Sequence, residues 1–86
     1  MATAATRPKL KTFHFVVRLA GVSKLSRRLQ DRVYEAGCDD AAIIERSGKI
    51  FLDFDRQARS MPQAVESALS DIERAGLVVS EVAFPE

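Results

Sequence analysis

The chain has 86 residues, of which 47% are hydrophobic and 29% are charged. This length accommodates one domain, and the composition is that of a globular protein, which argues against two domains or an unfolded chain. The single cysteine, Cys38, excludes an internal disulfide framework and is expected to be a small buried side chain. No apolar run reaches the ~18–20 residues of a transmembrane helix, and no secretory signal pattern opens the chain, so we expect a cytoplasmic protein.

The charges are unevenly distributed along the chain. Residues 1–34 carry eight Lys or Arg against the single acid Asp31, a net charge of +7. Residues 35–86 carry five basic residues against eleven acids, a net charge of −6. Such halves indicate complementary packing within or between chains, a basic face for a polyanion, or charges that intersperse on the folded surface.

The first third of the chain predicts a tail, a strand and a helix. Residues 1–11 show no hydrophobic period and are interpreted as a disordered basic tail. From residue 12 to residue 19 apolar side chains recur at every second position, which predicts a strand with one buried face. The inward positions are Phe13, Phe15, Val17 and Leu19. After the break at Gly21, Ser26 is a good N-cap for a helix that carries Leu29 and Val33 and ends at Gly37.

The middle of the chain predicts a hairpin. Residues 41–45 and 49–55 have the pattern of strands, and Ser47-Gly48 between them is typical of a two-residue turn. If that turn is correct, Ile44 lies opposite Phe51 and Ile43 lies opposite Leu52. Alternation then directs one set toward the core (Ala41, Ile43, Ile50, Leu52 and Phe54) and the other set away from it (Ile44, Phe51, Asp53 and Asp55).

The last third predicts a second helix and a final strand. Ser60 is the expected N-cap, with Gln63 completing a capping box, and Gly76 ends the helix before a strand at residues 77–84. The complete order predicts an α+β fold, the ferredoxin-like βαββαβ sandwich, in a single domain over residues 12–86. Its four-stranded antiparallel sheet carries two helices on one face. An intertwined dimer that exchanges strands has the same elements.

Three segments resemble a family of small uncharacterised bacterial proteins. They are Glu35-Ala36-Gly37-Cys38-Asp39-Asp40-Ala41, Leu52-Asp53-Phe54-Asp55-Arg56, and Asp71-Ile72-Glu73-Arg74-Ala75-Gly76-Leu77. In many members a segment similar to residues 12–84 precedes a helix-turn-helix, which is absent from residues 1–86. The resemblance therefore implies a domain that oligomerises or senses beside a regulator.

The polar residues predict no catalytic, cofactor or metal site. Asp53 and Asp55 share a strand face near Asp39 and Asp40, and four carboxylates can in principle hold a hard cation. Strand-end acids are more commonly solvated or paired with a nearby arginine, here Arg56 or Arg46. The single histidine, His14, has no evident nucleophile beside it, so we expect the protein not to be an enzyme.

Nucleic acid is the alternative partner that the sequence leaves open. Arg27, Arg28 and Arg32 lie on the first helix, and the first two occupy its N-terminal end, where the helix dipole disfavours cations. RNA-recognition domains also share the predicted topology and stack bases on central-strand aromatics. His14 and Phe51 occupy outward positions of that kind, but Asp53 and Asp55 oppose phosphate.

The preferred hypothesis is a non-enzymatic interaction module that forms a homodimer. Val16, Ile44 and Phe51 are predicted to lie on the sheet face without helices, and Val78 with Val82 or Val79 joins them. A contiguous apolar patch on a small domain marks a partner site. Such a module would serve as an accessory or regulatory partner in bacteria. A small-ligand sensor at the Gly21 loop is the third hypothesis.

Overall fold

The described part of the chain alternates strands and helices in the predicted order. A computed structural model describes residues 9–85, and it contains six elements. They are β1 (Lys11–Ala20), α1 (Arg27–Glu35), β2 (Ala41–Arg46), β3 (Lys49–Ala58), α2 (Met61–Arg74) and β4 (Val78–Ala83). The strands form one antiparallel sheet in the order β2-β3-β1-β4, which confirms the predicted α+β, ferredoxin-like βαββαβ fold.

The registers of the sheet confirm the predicted hairpin. Ile44 lies opposite Phe51, and Ile43 lies opposite Leu52. The turn places Ser47 at φ 53° and Gly48 at φ 74°, the pair of positive φ angles that matches the twist of a two-residue hairpin. The two long strands, β1 and β3, pair from Lys11↔Ala58 to Leu19↔Ile50 and form the centre of the sheet.

The hydrophobic core lies between the helices and one face of the sheet. Its fully covered side chains alternate along β1 and β3 and recur at helical spacing on α1 and α2, as the sequence predicted. They include Phe15, Val17, Leu29, Val33, Leu52, Phe54 and Ile72, all buried, while Ile43 and Leu69 are partly buried against them. The rings of Phe15 and Phe54 stack with their centroids 5.1 Å apart.

Both helices begin at the predicted serines. The Ser26 hydroxyl accepts the amide of Leu29 at 3.1 Å, and the Ser60 hydroxyl accepts the amide of Gln63 at 3.2 Å. The predicted capping box differs in one bond, because the Gln63 side chain accepts from the amide of Arg59 at 2.7 Å instead of that of Ser60. The helix start is therefore stabilised from both sides of the predicted N-cap.

The element boundaries differ slightly from the predicted ones. Strand β1 begins at Lys11, inside the range assigned to the basic tail, and most of that predicted tail lies outside the described residues. Strand β3 continues to Ala58, three residues beyond its predicted end. Between residues 9 and 85, no helix combines the length and the apolar character needed to cross a bilayer.

Candidate interaction surface

The face of the sheet that carries no helix contains a shallow apolar hollow. Its volume is about 290 Å³, and all four strands contribute to its lining. The lining residues are Val16, Ile44, Arg46, Phe51, Asp53 and Ala83. The three residues predicted as an interface therefore lie together, because Ile44 is directly opposite Phe51 and β1 runs alongside β3.

The apolar side chains of the hollow are half-buried even though no second layer covers them. Val16, Ile44 and Phe51 are each intermediate between buried and exposed. A half-buried cluster that still contacts solvent retains apolar area that a partner can remove from water. The cluster is thus a candidate contact surface.

The last strand contributes less to this face than the sequence predicted. Val79 and Val82 pack against the core, and Val78, 62% exposed, is the valine of β4 left in solvent. The physical reason is an irregularity between the pairs Arg18↔Glu81 and Leu19↔Val79, which inserts one extra residue into β4. The bulge allows two residues three positions apart to face the same side.

Charged residues occupy the two ends of the open face. At the hairpin end, Arg46 and Lys49 are exposed. Farther along β3, Asp53 lines the hollow and Asp55 lies two residues beyond it. Along β3 the outward residues therefore run from the cation Lys49 through Phe51 to two acids, while Arg18 of β1 lies opposite Phe51.

His14 belongs to the acidic end of the open face. Its Nε2 lies 2.5 Å from Oδ1 of Asp53, and both side chains are partly exposed. In the register His14 is opposite Asp55, whereas Phe51 is opposite Arg18. The stacking platform considered for a nucleic-acid base is therefore not formed by His14 and Phe51, which lie in different rows of the sheet.

The four acids considered for a metal ion do not converge. Asp40 binds Arg56, whose side chain is buried, while Asp53 binds His14 on the open face. Among residues 9–85, no set of three or more His, Cys, Asp or Glu side chains is arranged to hold a metal ion. The alternative prediction, that a strand-end acid pairs with Arg56, is confirmed by the contact between Asp40 and Arg56.

Arg56 is a buried charged residue whose position the sequence analysis missed. It is 7% exposed, and each of its five N–H groups has an acceptor. Nε and Nη2 donate to the two oxygens of Asp40 at 2.8 and 3.0 Å, the forked geometry in which arginine binds carboxylate most strongly. The remaining donors reach Gly37 O, Asp71 Oδ2 and Ser67 Oγ at 3.0 to 3.1 Å.

The Arg56 network connects β3, α2 and the segment that links α1 to β2. Paired acceptors hold the pKa of Arg56 above its ordinary value, so its charge is permanent. Gly37 contributes a backbone carbonyl and has φ 106°, and a Cβ there would lie 3.1 Å from Asp71 Oδ2. A glycine at position 37 therefore ends α1 and also leaves room for Asp71.

Two further arginines join the helices at their C-terminal ends. Arg32 of α1 donates to Ala75 O at 3.2 Å, and Arg74 of α2 donates to Ala36 O at 3.1 Å. Each cation thus binds the C-terminal carbonyl of the other helix, where the helix dipole favours positive charge. Of the three candidate nucleic-acid contacts, which are all exposed, Arg32 has this intramolecular role.

Cys38 is buried, as predicted for a small apolar side chain. Burial raises the pKa of its thiol to about 11, and the carboxylate of Asp71 contributes to the rise. The thiolate is the reactive form of cysteine, so this thiol is protonated and unreactive near neutral pH.

Comparison of the chain with protein-family models, curated proteins and solved structures gave no match.

Proposed function

We propose that this protein is a non-enzymatic interaction module that forms a homodimer through the open face of its sheet. The observation that carries the proposal is the hollow lined by Val16, Ile44 and Phe51 on a face that no helix or strand of residues 9–85 covers. A sheet with helices on one side normally presents polar residues on the other. Apolar residues gathered there favour a partner that covers them.

Features of the β4 edge of the sheet favour association through the face over pairing at that edge. The outer strand β4 contains the bulge described above, and Pro85 follows its end. Bulges and prolines are the features by which natural sheets prevent their edges from pairing with other chains. The face lacks comparable protection at its apolar centre.

The polar interior supports a binding role in place of catalysis. Arg56, Asp40 and Asp71 bind one another, and Cys38 retains its proton, so these groups are already engaged within the fold. The chain also resembles small bacterial proteins in which a similar segment often precedes a helix-turn-helix. In that setting the domain would act as an accessory or regulatory partner that brings two copies together.

Replacing Phe51 by glutamate is expected to convert the dimer into a folded monomer. A carboxylate at this position would lose its hydration at the centre of the contact, which is unfavourable even with Arg18 opposite it on β1. Because Phe51 points away from the core, the fold should persist. Sedimentation at micromolar concentration should give a dimer for the wild type and a monomer for Phe51→Glu, with unchanged far-ultraviolet circular dichroism.

The matched control is Tyr34→Glu, which places the same charge on an aromatic position of α1 that is 67% exposed. This variant should sediment as a dimer, because Tyr34 belongs to the helical side of the molecule. A wild type that stays monomeric at high concentration contradicts the proposal. Unfolding of Phe51→Glu would instead assign Phe51 to the core.

A second candidate function is binding of nucleic-acid phosphates at the hairpin end. The amide of Leu25 donates to Glu45 Oε1 at 2.8 Å, which joins the start of α1 to β2 beside the hairpin. This contact brings five exposed cations to one end of the molecule: Lys24, Arg27, Arg28, Arg46 and Lys49. Neutralising phosphates with clustered cations releases counterions and gives salt-dependent affinity.

For that candidate, the double variant Arg27→Gln/Arg28→Gln is expected to weaken binding to a mixed-sequence oligonucleotide. Two lost phosphate contacts should lower the slope of log K against log salt by about two. Lys11→Gln/Arg59→Gln is the control, since it removes equal charge at the opposite end of β1 and β3. Equal slopes for the two double variants, or no binding by the wild type at ~50 mM salt, exclude this candidate.

A further inference from the structure

The open face carries unpaired charges of opposite sign on a single strand. Lys49 lies at the first position of β3 and Asp55 at the seventh, and both side chains are exposed. Within residues 9–85, neither makes a salt bridge; the ion pairs there involve Arg56, Arg74 and His14. The two charges flank the apolar hollow at its two ends.

Lys49 and Asp55 are too far apart to meet within one chain. Six residues of extended strand separate them, which corresponds to about 20 Å. Both occupy outward positions of the same strand, in phase with Phe51 and Asp53. Any ion pair between positions 49 and 55 must therefore form between two molecules.

A two-fold axis can relate two copies of this face in two principal ways. An axis parallel to the strands places the hairpin ends of both copies together, so that Arg46 and Lys49 of each copy repel those of the other. An axis perpendicular to the strands reverses the direction of the partner's strands and places each hairpin end over the other copy's acidic end. Charge complementarity favours the second arrangement, since like charges held together are unfavourable.

We propose that the open face binds a second copy of the chain with its strands reversed, so that Lys49 of each copy pairs with Asp55 of the other. This inference rests on the homodimer proposed above. The axis then crosses β3 at Leu52, midway between the two charges, and Phe51 lies next to it. The apolar centre supplies affinity, and the charged ends restrict the partner to a copy in this one orientation.

The test uses two single variants, Lys49→Glu and Asp55→Lys, each alone and then mixed. In a Lys49→Glu homodimer two carboxylates face each other at both ends, and in an Asp55→Lys homodimer two ammonium groups do. The dissociation constant of each homodimer should be about tenfold higher than that of the wild type at low salt. In the mixed dimer both contacts are opposite charges, so mixing should yield a heterodimer of near wild-type affinity, measured by native mass spectrometry and sedimentation.

The double variant Lys49→Glu/Asp55→Lys provides an independent measurement. Its homodimer should regain wild-type affinity, and because positions 49 and 55 cannot meet within a chain, that recovery must arise between copies. Circular dichroism checks that each variant is folded. The proposed orientation alone is overturned if the wild type is a dimer but its two single variants show no preference for each other. It is also overturned if the double variant does not regain wild-type affinity. A monomeric wild type overturns the dimer itself.

Discussion

Replacing Phe54 by alanine is expected to lower the free energy of unfolding by about 3–5 kcal/mol. Phe54 is fully buried, with its ring stacked on Phe15, and the guanidinium of Arg56 lies 5.1 Å from its ring centre. The substitution therefore removes both of these contacts and leaves a cavity. For a domain of this size the loss is a large share of the total stability of roughly 5–10 kcal/mol. Denaturant titration should show a much lower midpoint or an unfolded protein.

Two controls separate the cavity from a general effect of losing an aromatic ring. Phe84→Ala removes a ring that is 54% exposed and should change stability by less than about 0.5 kcal/mol. Phe54→Leu keeps most of the buried volume and should cost clearly less than Phe54→Ala. A Phe54→Ala midpoint equal to that of the wild type would contradict the inward phase assigned to β3.

That inward phase is the feature the sequence predicts most reliably. Along β1 and β3 the alternation of apolar and polar residues is regular, and the Ser47-Gly48 turn sets the register of β2 against β3. Once these are known, the placement of Ile44 beside Phe51 follows without further information. The same reasoning places Val16 on the open face, so the apolar part of the candidate site was predictable.

The orientation of the last strand was less predictable because its valines do not alternate regularly with polar residues. Val78, Val79 and Val82 favour a strand in any phase, so no alternation distinguishes the core side from the solvent side. The bulge beside Arg18 depends on how β4 meets β1, which is a tertiary property. The prediction that Val79 or Val82 lies on the open face was wrong for this reason.

Burial of Arg56 was missed because β3 was expected to end at Asp55. Continued by one residue, the alternation that places Leu52 and Phe54 inward also places Arg56 inward. A charged side chain at such a position requires partners, and its acceptors come from segments distant in sequence, Asp40 and Asp71. A longer β3 would have identified the inward position of Arg56 from the sequence pattern, but not its set of acceptors.

Arg56→Ala is expected to be the most destabilising change of a charged residue, at about 3–5 kcal/mol. The variant leaves Asp40 and Asp71 without the cation that binds both of them and frees the carbonyl of Gly37. Arg56→Lys should recover only part of this loss. A lysine ammonium is a point charge with three donors, and it cannot bind the two oxygens of Asp40 as the planar fork does. Thermal and denaturant unfolding of the three proteins should show that stability decreases from the wild type to Arg56→Lys and then to Arg56→Ala.

Arg74→Ala is the matched control for Arg56→Ala, because Arg74 also binds Asp71 but its side chain is 62% exposed. An exposed ion pair contributes little, so this variant should lose no more than about 1 kcal/mol. Similar losses for Arg56→Ala and Arg74→Ala would show that burial adds nothing to the network. A stable Arg56→Ala protein would mean that water replaces the guanidinium. Neither arginine lies on the open face. Any Arg56 variant that remains folded should therefore still form the proposed dimer. That result would separate the residues that stabilise the fold from those that bind the partner.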